Sequence, residues 1–595
     1  MKDYTTDILR NKTVNNSSTK QKNLRTICAD FFLFVNEEKQ FLMQVYFFRV
    51  NSFFIYNFAL YVEYIKNQFI MKSHKKIFSS IMIIFCLSTT MVLAENFRNI
   101  SLNKTIDEPG PLKGIVLWTD NGKMNSYRNS IALEFAYCLP CQVVTGKSGG
   151  EIQYDWSSFE TLLNGIAGRG HQAIIRFRYE YPGETIAKNT SGCTCDVRGA
   201  TAVPAYIKAL SDYSETYSSN PGGDGNTYYT DWSNAELQWF TKQFYIDFAK
   251  KYDNDPRIAF IQVGFGHWSE YHIYGTTLKL GTNFPSKNYQ AEFLQLMNNN
   301  FEKTPWCISI DASDNSYTPI VGNSTLMALN FGLFDDSFMH KNHNDYNEYC
   351  WNQIGTNRWE TASGGGEISY YTSSDQKNAL NPAGMYGRIW EQEAAKFHIT
   401  YMIANDAVDG TYATVERVKE ASINSGYKFQ ITKYQVSDTQ AKITVKNIGV
   451  APIYHDAYVT VKTKRSDISL KGLLPTEEQE YIVEVAINAS ENPEPTITSD
   501  KILAGKTIPY QANLNSETKI NTVSESSKIK QAEKHLFFSG NNYTVNIYNL
   551  QGIKIAFTQE ESFDFSGYPS GCYIVQYIGE NGEKEILKVC AWGSK

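Results

Sequence analysis

The chain has 595 residues, 42% hydrophobic and 20% charged, with 56 Lys and Arg against 62 Asp and Glu. At about 100–200 residues per domain it exceeds one small module, and a formal charge of −6 lacks the basic footprint of a nucleic-acid binder, so nucleic acid is excluded as a partner. Aromatic residues make up 14%, a composition suited to flat, amphipathic binding surfaces.

Residues 1–70 contain neither Gly nor Pro, although the chain holds 39 and 17, and 15 of the 70 are Phe or Tyr. That is the bias of translated AT-rich intergenic DNA, and residues 1–70 are expected to be upstream sequence that is not translated. A membrane anchor is the rival reading, but Glu37, Glu38, Lys39 and Glu63 keep every run below the ~18 apolar residues a span needs. Met71 opens a signal peptide over residues 71–94. Lys72, His74, Lys75 and Lys76 precede an apolar stretch, and Val92-Leu93-Ala94 suits a peptidase that accepts small side chains. The mature chain is expected to start at Glu95, to carry no integral membrane segment, and to reach the cell surface or medium through the periplasm. Outside the cytoplasm its eight remaining cysteines can form disulfides. Cys138, Cys141, Cys193 and Cys195 have the wrong spacing for a zinc ribbon, so buried thiols or disulfides are expected there and no metal.

From residue 114 strands alternate with helices. GIVLW at 114–118 and residues 130–137 read as strands one and two. A helix follows Asp155-Trp156-Ser157, with Phe159, Leu162, Leu163 and Ile166 on its apolar face. Strand three is 172–179, and a variable insert runs over 182–230. Ser233 with Glu236 forms a capping box before a helix lined by Leu237, Phe240, Phe244 and Phe248. Strands four to eight fall at 258–263, 306–310, 326–330, 361–366 and 398–404, with a last helix at 415–423. Eight such units predict an α/β fold, a (β/α)8 TIM-like barrel over 95–425. A doubly wound sheet is disfavoured because no Gly-rich phosphate turn follows strand one. Period-two alternation then predicts a β-sandwich over 426–510, an aperiodic linker over 511–534 and a small all-β module over 535–595.

Functional groups of such barrels sit at the carboxyl ends of the strands. Reading past each strand gives Trp118, Glu134, Arg176, Arg178, Glu180, Glu270, Asp311, Asn330 with Asp336, Glu367, and Asp406 beside Asn405. Glu270 follows Gly264-Phe-Gly-His-Trp-Ser, and Glu367 follows Gly364-Gly-Gly; small residues there let the backbone turn and expose the side chain. Glycoside hydrolysis needs two carboxyl groups flanking the scissile bond, one protonated and one ionised. A pair at strands four and seven resembles the arrangement of clan A glycoside hydrolases, although that clan has Asn-Glu at strand four where Ser269 precedes Glu270 here. The resemblance implies Glu270 as acid/base and Glu367 as nucleophile. Trp118, Trp268 and Tyr370 are the expected aromatic walls, and Glu134, Arg176, Arg178, Glu180, His272, Asp311, Asn330 and Asp406 the other substrate contacts. Arg176 or Arg178 is expected to hold Glu367 ionised, while Trp268 and Tyr271 desolvate Glu270. His267 and His272 show no third ligand; Asp335, Asp336 and Asp311 could hold calcium, but a solvated loop is the default for them, so neither metal nor cofactor is expected.

The segments PLKGIVLW (111–118), LEFAY (133–137), YDWSSFETLLNGIAGRGHQAIIRFRYEYPG (154–183), YDNDPRIAFIQVGFGHWSEYH (252–272) and GGGEISYY (364–371) are similar to a family of secreted bacterial proteins known as "domain of unknown function 4832". Ser269-Glu270-Tyr271-His272 stands where that family has Gly-Glu-Trp-His. The resemblance implies a glycosidase-like barrel acting on an extracellular glycan or oligosaccharide, the alternative being a non-catalytic glycan-binding or surface-adhesion barrel. The tail, with YTVNIYNLQG (543–552), FDFS (563–566) and YPSGCYIV (568–575), resembles the C-terminal sorting domain of the type IX secretion system. That implies the type IX machinery as a partner.

Overall fold

The computed structural model describes residues 96–183, 200–341, 346–404, 411–514, 528–532, 534–549, 553–569 and 571–591. The expected leader, Cys193, Cys195 and Asp406 lie outside them. Eight parallel strands close into a barrel in sequence order: Gly114–Trp118, Leu133–Cys138, Gln172–Phe177, Ile258–Gln262, Trp306–Ser309, Gly332–Phe338, Gly364–Ile368 and Tyr401–Ile403, the last pairing with the first. Strands three, four and five are buried on both faces, which is why they read as near-continuous apolar runs. Their crossovers carry the long helices Ser157–Gly168, Ala235–Tyr252 and Lys287–Asn300, and Val415–Asn424 follows strand eight. The fold is the expected (β/α)8 barrel.

Three local readings change. Residues 326–330 are not strand six: the Asn323 side chain accepts from the N–H groups of Thr325 and Leu326 and starts the helical turn Ser324–Met327. The strand follows at Gly332–Phe338, disguised in sequence by its two acids. Strand seven is Gly364–Ile368, shifted from 361–366. Helix Ala235–Tyr252 is capped by Asn234, whose side chain accepts from Leu237, while the Ser233 hydroxyl turns to Asp231 at 2.6 Å.

Phe429–Val436, Gln440–Asn447, Glu478–Glu484 and Tyr510–Leu514 form one sheet of a β-sandwich, packed on a second sheet of Tyr458–Val461, Lys464–Arg465 and Pro495–Thr498. Residues expected elsewhere complete it. Arg98–Asn99 pairs with Phe429–Val436 and Leu102–Lys104 pairs with Tyr510–Leu514, so these N-terminal strands belong to the sandwich and not to the barrel. Tyr510–Leu514, placed mostly in the linker by sequence, is an inner strand. Its five residues are too few for alternation to declare itself.

The sandwich closes the amino end of the barrel. One apolar cluster runs from the barrel interior (Val116, Phe135, Ile174, Phe260, Tyr401) into Tyr427, Phe429, Ile431 and Ile443. Lys113 Nζ donates to the carbonyls of Ile423, Ser425 and Tyr427 at 2.6–2.8 Å. Lys501 Nζ reaches the Asp253 carbonyl at 2.8 Å and Thr304 Oγ1 at 2.9 Å, just before strands four and five. The opposite, carboxyl end of the barrel carries the candidate site. The tail, beginning at Ile529 and not at 535, forms sheets Ile529–Ala532/His535–Phe538/Ser562–Asp564 and Lys554–Thr558/Thr544–Tyr548/Gly571–Ile578/Lys584–Ala591 over its own core. No helix among the described residues is long and apolar enough to cross a membrane.

Candidate active site

Side chains alternate across a strand, and the inward set at the strands' carboxyl ends builds the site. Arg176, on strand three, is fully buried over the rings of Phe334 (4.3 Å) and Phe135 (5.2 Å). Its Nε donates to Gln262 Oε1 at 2.8 Å, its Nη1 to Glu270 Oε1 at 2.5 Å and to the Tyr137 hydroxyl at 3.1 Å, and its Nη2 to Glu367 Oε1 at 2.8 Å. The two acids singled out by sequence therefore share one guanidinium. Arg176, not Arg178, is that cation.

Glu270 is held on a strained loop. Trp268, Ser269 and Tyr271 all have positive φ (56°, 64° and 65°), a left-handed backbone that non-glycine residues rarely adopt. Backbone bonds tie it down: His267 N to His272 O at 2.8 Å, Glu270 N to His267 O at 3.0 Å and Tyr271 N to Phe265 O at 2.9 Å. Gly264 is required because a Cβ there would collide with the Ser269 carbonyl. Burial, then the charge of Asp336, lifts the Glu270 carboxyl well above its usual range against the pull of Arg176. Burial also raises Glu367, opposed by Arg176 and by the Tyr370 hydroxyl. Tyr370 in turn accepts from Trp118 Nε1 at 3.0 Å, so strand one braces the acid of strand seven.

A second layer of titratable groups faces Glu270. His272 Nδ1 lies 2.9 Å from Asp311 Oδ2, and its Nε2 lies 3.9 Å from Glu270 Oε2. Burial alone would lower His272, but Asp311 raises it. Asp336, inward on strand six, is lifted to about 7 by burial and by Asp311, with His272 opposing. Each of Glu270, His272 and Asp336 offers a ligand atom within 4.8 Å of the others, the only such trio among the described residues. Geometrically the three suit a cation; the guanidinium on Glu270 already supplies one. Asp335 is not a solvated loop acid but is fully buried, accepting from Ser337 N, Asn347 Nδ2 and Trp351 Nε1.

Other candidates stand apart from this cluster. Glu134 faces the opposite side of strand two from Phe135 and Tyr137. There Arg169 (2.6 and 2.8 Å) and His171 (2.7 Å) clamp it, and although burial works the other way they hold its carboxyl below the usual range. Asn330 precedes strand six, at the amino end, and its N–H donates to Asn298. Glu180 is buried behind the mouth, bonded to the Thr230 hydroxyl at 2.5 Å and lifted by burial to about 7. Arg178 lies among the rings of Tyr137 (3.8 Å), Trp268 (4.3 Å) and Tyr181 (4.4 Å). Trp268 stacks on Tyr137. Tyr137, Gln262, Tyr274 and Tyr371 escaped the sequence reading. For Tyr137 the sequence offers no signal, because LEFAY does not mark which alternate side chains face inward. Cys138 is a buried free thiol and Cys141 is disulfide-bonded, so Cys138-Leu-Pro-Cys141 is not a dithiol.

No family model and no curated protein matches this chain. Among solved structures it is similar to the catalytic domain of a beta-amylase from Paenibacillus polymyxa (11% identity over 52% of this chain and 97% of that one, TM-score 0.32). It is likewise similar to endo-glycoceramidase II from Rhodococcus sp. in its ganglioside GM3 complex (10%, 66% and 100%, TM-score 0.34), and to a GH39 beta-xylosidase from Caulobacter crescentus (8%, 60% and 80%, TM-score 0.28). Likeness at this level carries no argument of its own. The barrel rests on its strand pairing, and the chemistry on the residues above.

Proposed function

We propose that this chain is an exported glycoside hydrolase that cleaves an extracellular glycan with retention, Glu270 serving as acid/base and Glu367 as nucleophile. The observation that carries the reading is the single buried Arg176 bonded to both carboxyl groups, which gathers the pair on one guanidinium; retention calls for a separation of about 5–5.5 Å. Their environments differ in the needed direction. Glu270 faces Asp336 and is pushed further toward the protonated form, as a leaving-group acid must be. Glu367 is supported as an anion by Arg176 and Tyr370.

In the first step the Glu367 carboxylate attacks the anomeric carbon while Glu270 gives its proton to the departing glycosidic oxygen. In the second, Glu270 takes a proton from water, whose oxygen displaces Glu367 from the sugar. A panel of aryl glycosides and oligosaccharides identifies the substrate. Glu270→Gln should then lose ~10²–10⁴ in rate where the leaving group needs a proton and little where it does not, and Glu367→Gln should form no glycosyl-enzyme. Wild-type turnover in both variants overturns the assignment, and an inverted product overturns retention.

We further propose that residues 71–94 direct export and that the separate core of the tail marks it as a type IX sorting address. The disulfides of Cys141 and Cys572 suit a chain that matures outside the cytoplasm. Deleting the tail should trap the protein in the periplasm; unimpaired release excludes the sorting role.

A further inference from the structure

We propose that the barrel mouth admits glycans that are neutral or amino-bearing and turns away those carrying carboxylate or sulfate groups. This deepens the glycan-cleaving reading, rests on it, and follows from which charges the mouth withholds and which it presents.

The cations are withheld. Arg176 is 0% exposed, with its terminal nitrogens on Glu270 and Glu367. Arg178 is 4% exposed and enclosed by the rings of Tyr137, Tyr181 and Trp268. Arg388 is buried and gives its guanidinium to the carbonyls of His340 and Lys341. His267 is fully buried between Asp224 and Tyr229, and His272 is bonded to Asp311.

The anions are presented. Asp336 and Asp311 are half-buried, Asp311 paired with His272 at 2.9 Å, and two exposed rings, Tyr274 (40% exposed) and Tyr371 (68%), follow strands four and seven at the same end of the barrel. Burial first, and then the charges of Asp336 and Asp311, hold both phenols above their ordinary range. Each ring is backed by an imidazole, Tyr274 by His272 (4.5 Å between centroids) and Tyr371 by His340 (4.2 Å). Such faces pack against the C–H surface of a sugar, while the carboxylates accept from its hydroxyl or ammonium groups. A uronate or sulfate ester seated on the same rings would meet Asp336 and Asp311, while Arg176, Arg178 and Arg388 are buried and engaged elsewhere and the exposed Lys341 is the cation that follows strand six. Like charges so juxtaposed reject a partner.

The test is binding of the full chain, at pH 8, above the value of about 7 to which Asp336 is lifted, to an array of oligosaccharides that includes matched neutral, amino-bearing, uronic and sulfated members. Hits should fall among neutral and amino sugars, with uronic counterparts at least ~10-fold weaker. That gap should shrink at high salt and in Asp336→Asn, while Tyr371→Ala should weaken all hits together. Uronic or sulfated glycans bound as well as neutral ones, a gap that neither salt nor Asp336→Asn moves, or no hits at all, overturns the proposal. Selective binding without cleavage leaves it standing and overturns the hydrolase reading instead.

Discussion

The ring of Tyr401 fills the space where a side chain on Gly365 would stand: a Cβ on that glycine would lie inside the van der Waals surface of the phenol. Strand eight thus dictates the glycine of strand seven, two residues before Glu367. The contact reaches the site, because the Tyr401 hydroxyl accepts from Gln262 Nε2 at 2.9 Å and Gln262 Oε1 accepts from Arg176 Nε at 2.8 Å. The glycine run before Glu367 therefore makes room for the tyrosine that braces the arginine.

Gly365→Ala should be destabilising by about 1–3 kcal/mol, the usual range for overpacking a full core. Because the displaced ring belongs to the Arg176 network, it should also lower activity by more than Gly168→Ala, at a helix end with ordinary φ and no atom near its Cβ position. Denaturant unfolding beside a rate measurement checks both.

Arg176→Met should destabilise the fold by about 3–5 kcal/mol, the penalty for breaking a buried ion pair. The sign with pH is definite. Without the guanidinium, Glu270 and Glu367 bind protons more tightly when folded, so their folded pKa values rise further above the unfolded ones. Stability is then lost as pH climbs past the unfolded carboxylate range. The loss should be larger at pH 8 than at pH 5 in parallel unfolding curves, and an equal loss at both contradicts the pairing.

What the sequence disclosed follows from how each residue signals. Strands three to five are near-continuous apolar runs, buried on both faces, and are legible for that reason. Strands six and seven carry Asp335-Asp336 and Gly364-Gly-Gly, residues that ordinarily mark loops, and were misplaced by several positions. That shift accounts for two differences at the site: Asn330 reads as a strand end but stands before the strand, and Asp336 reads as a loop acid but lies on strand six. Glu134 failed for a different reason, since nothing in LEFAY tells which alternate side chains face inward. Arg176 and Glu270 are legible because strands three and four are, and Glu367 because the expected end of strand seven, at 366, still falls one residue before it. Their meeting on one guanidinium is a property of barrel closure, which no local pattern encodes.

Asp336→Asn isolates the second carboxyl. Its folded pKa of about 7 stands above the 3.8 of an ordinary aspartate, so folding takes up a proton in that interval and stability falls as pH rises through it. Asparagine has no proton to lose. The variant should match wild type near pH 4 and exceed it in melting temperature near pH 8. It should also lower the pKa of Glu270 by removing a neighbouring charge, moving the basic limb of the pH–rate profile toward acid. A variant that melts below wild type at pH 8 contradicts the repulsion.

The barrel and sandwich should behave as one cooperative unit, and the place of the cut decides what survives. Tyr510–Leu514 lies between Phe429–Val436 and Leu102–Lys104, so a chain ending at 509 loses an inner strand and leaves both neighbours with unpaired backbone groups. One ending at 425 also strips Lys113 of the Tyr427 carbonyl and exposes the lower half of the shared apolar cluster. Both should aggregate or melt far below the intact protein. A chain of 95–520 should keep the intact protein's main transition and its glycan binding, because the tail has its own core. Calorimetry separates the cases: a well-folded 95–425 fragment would show that the sandwich is an accessory, and a lowered main transition in 95–520 would show that the tail supports the barrel.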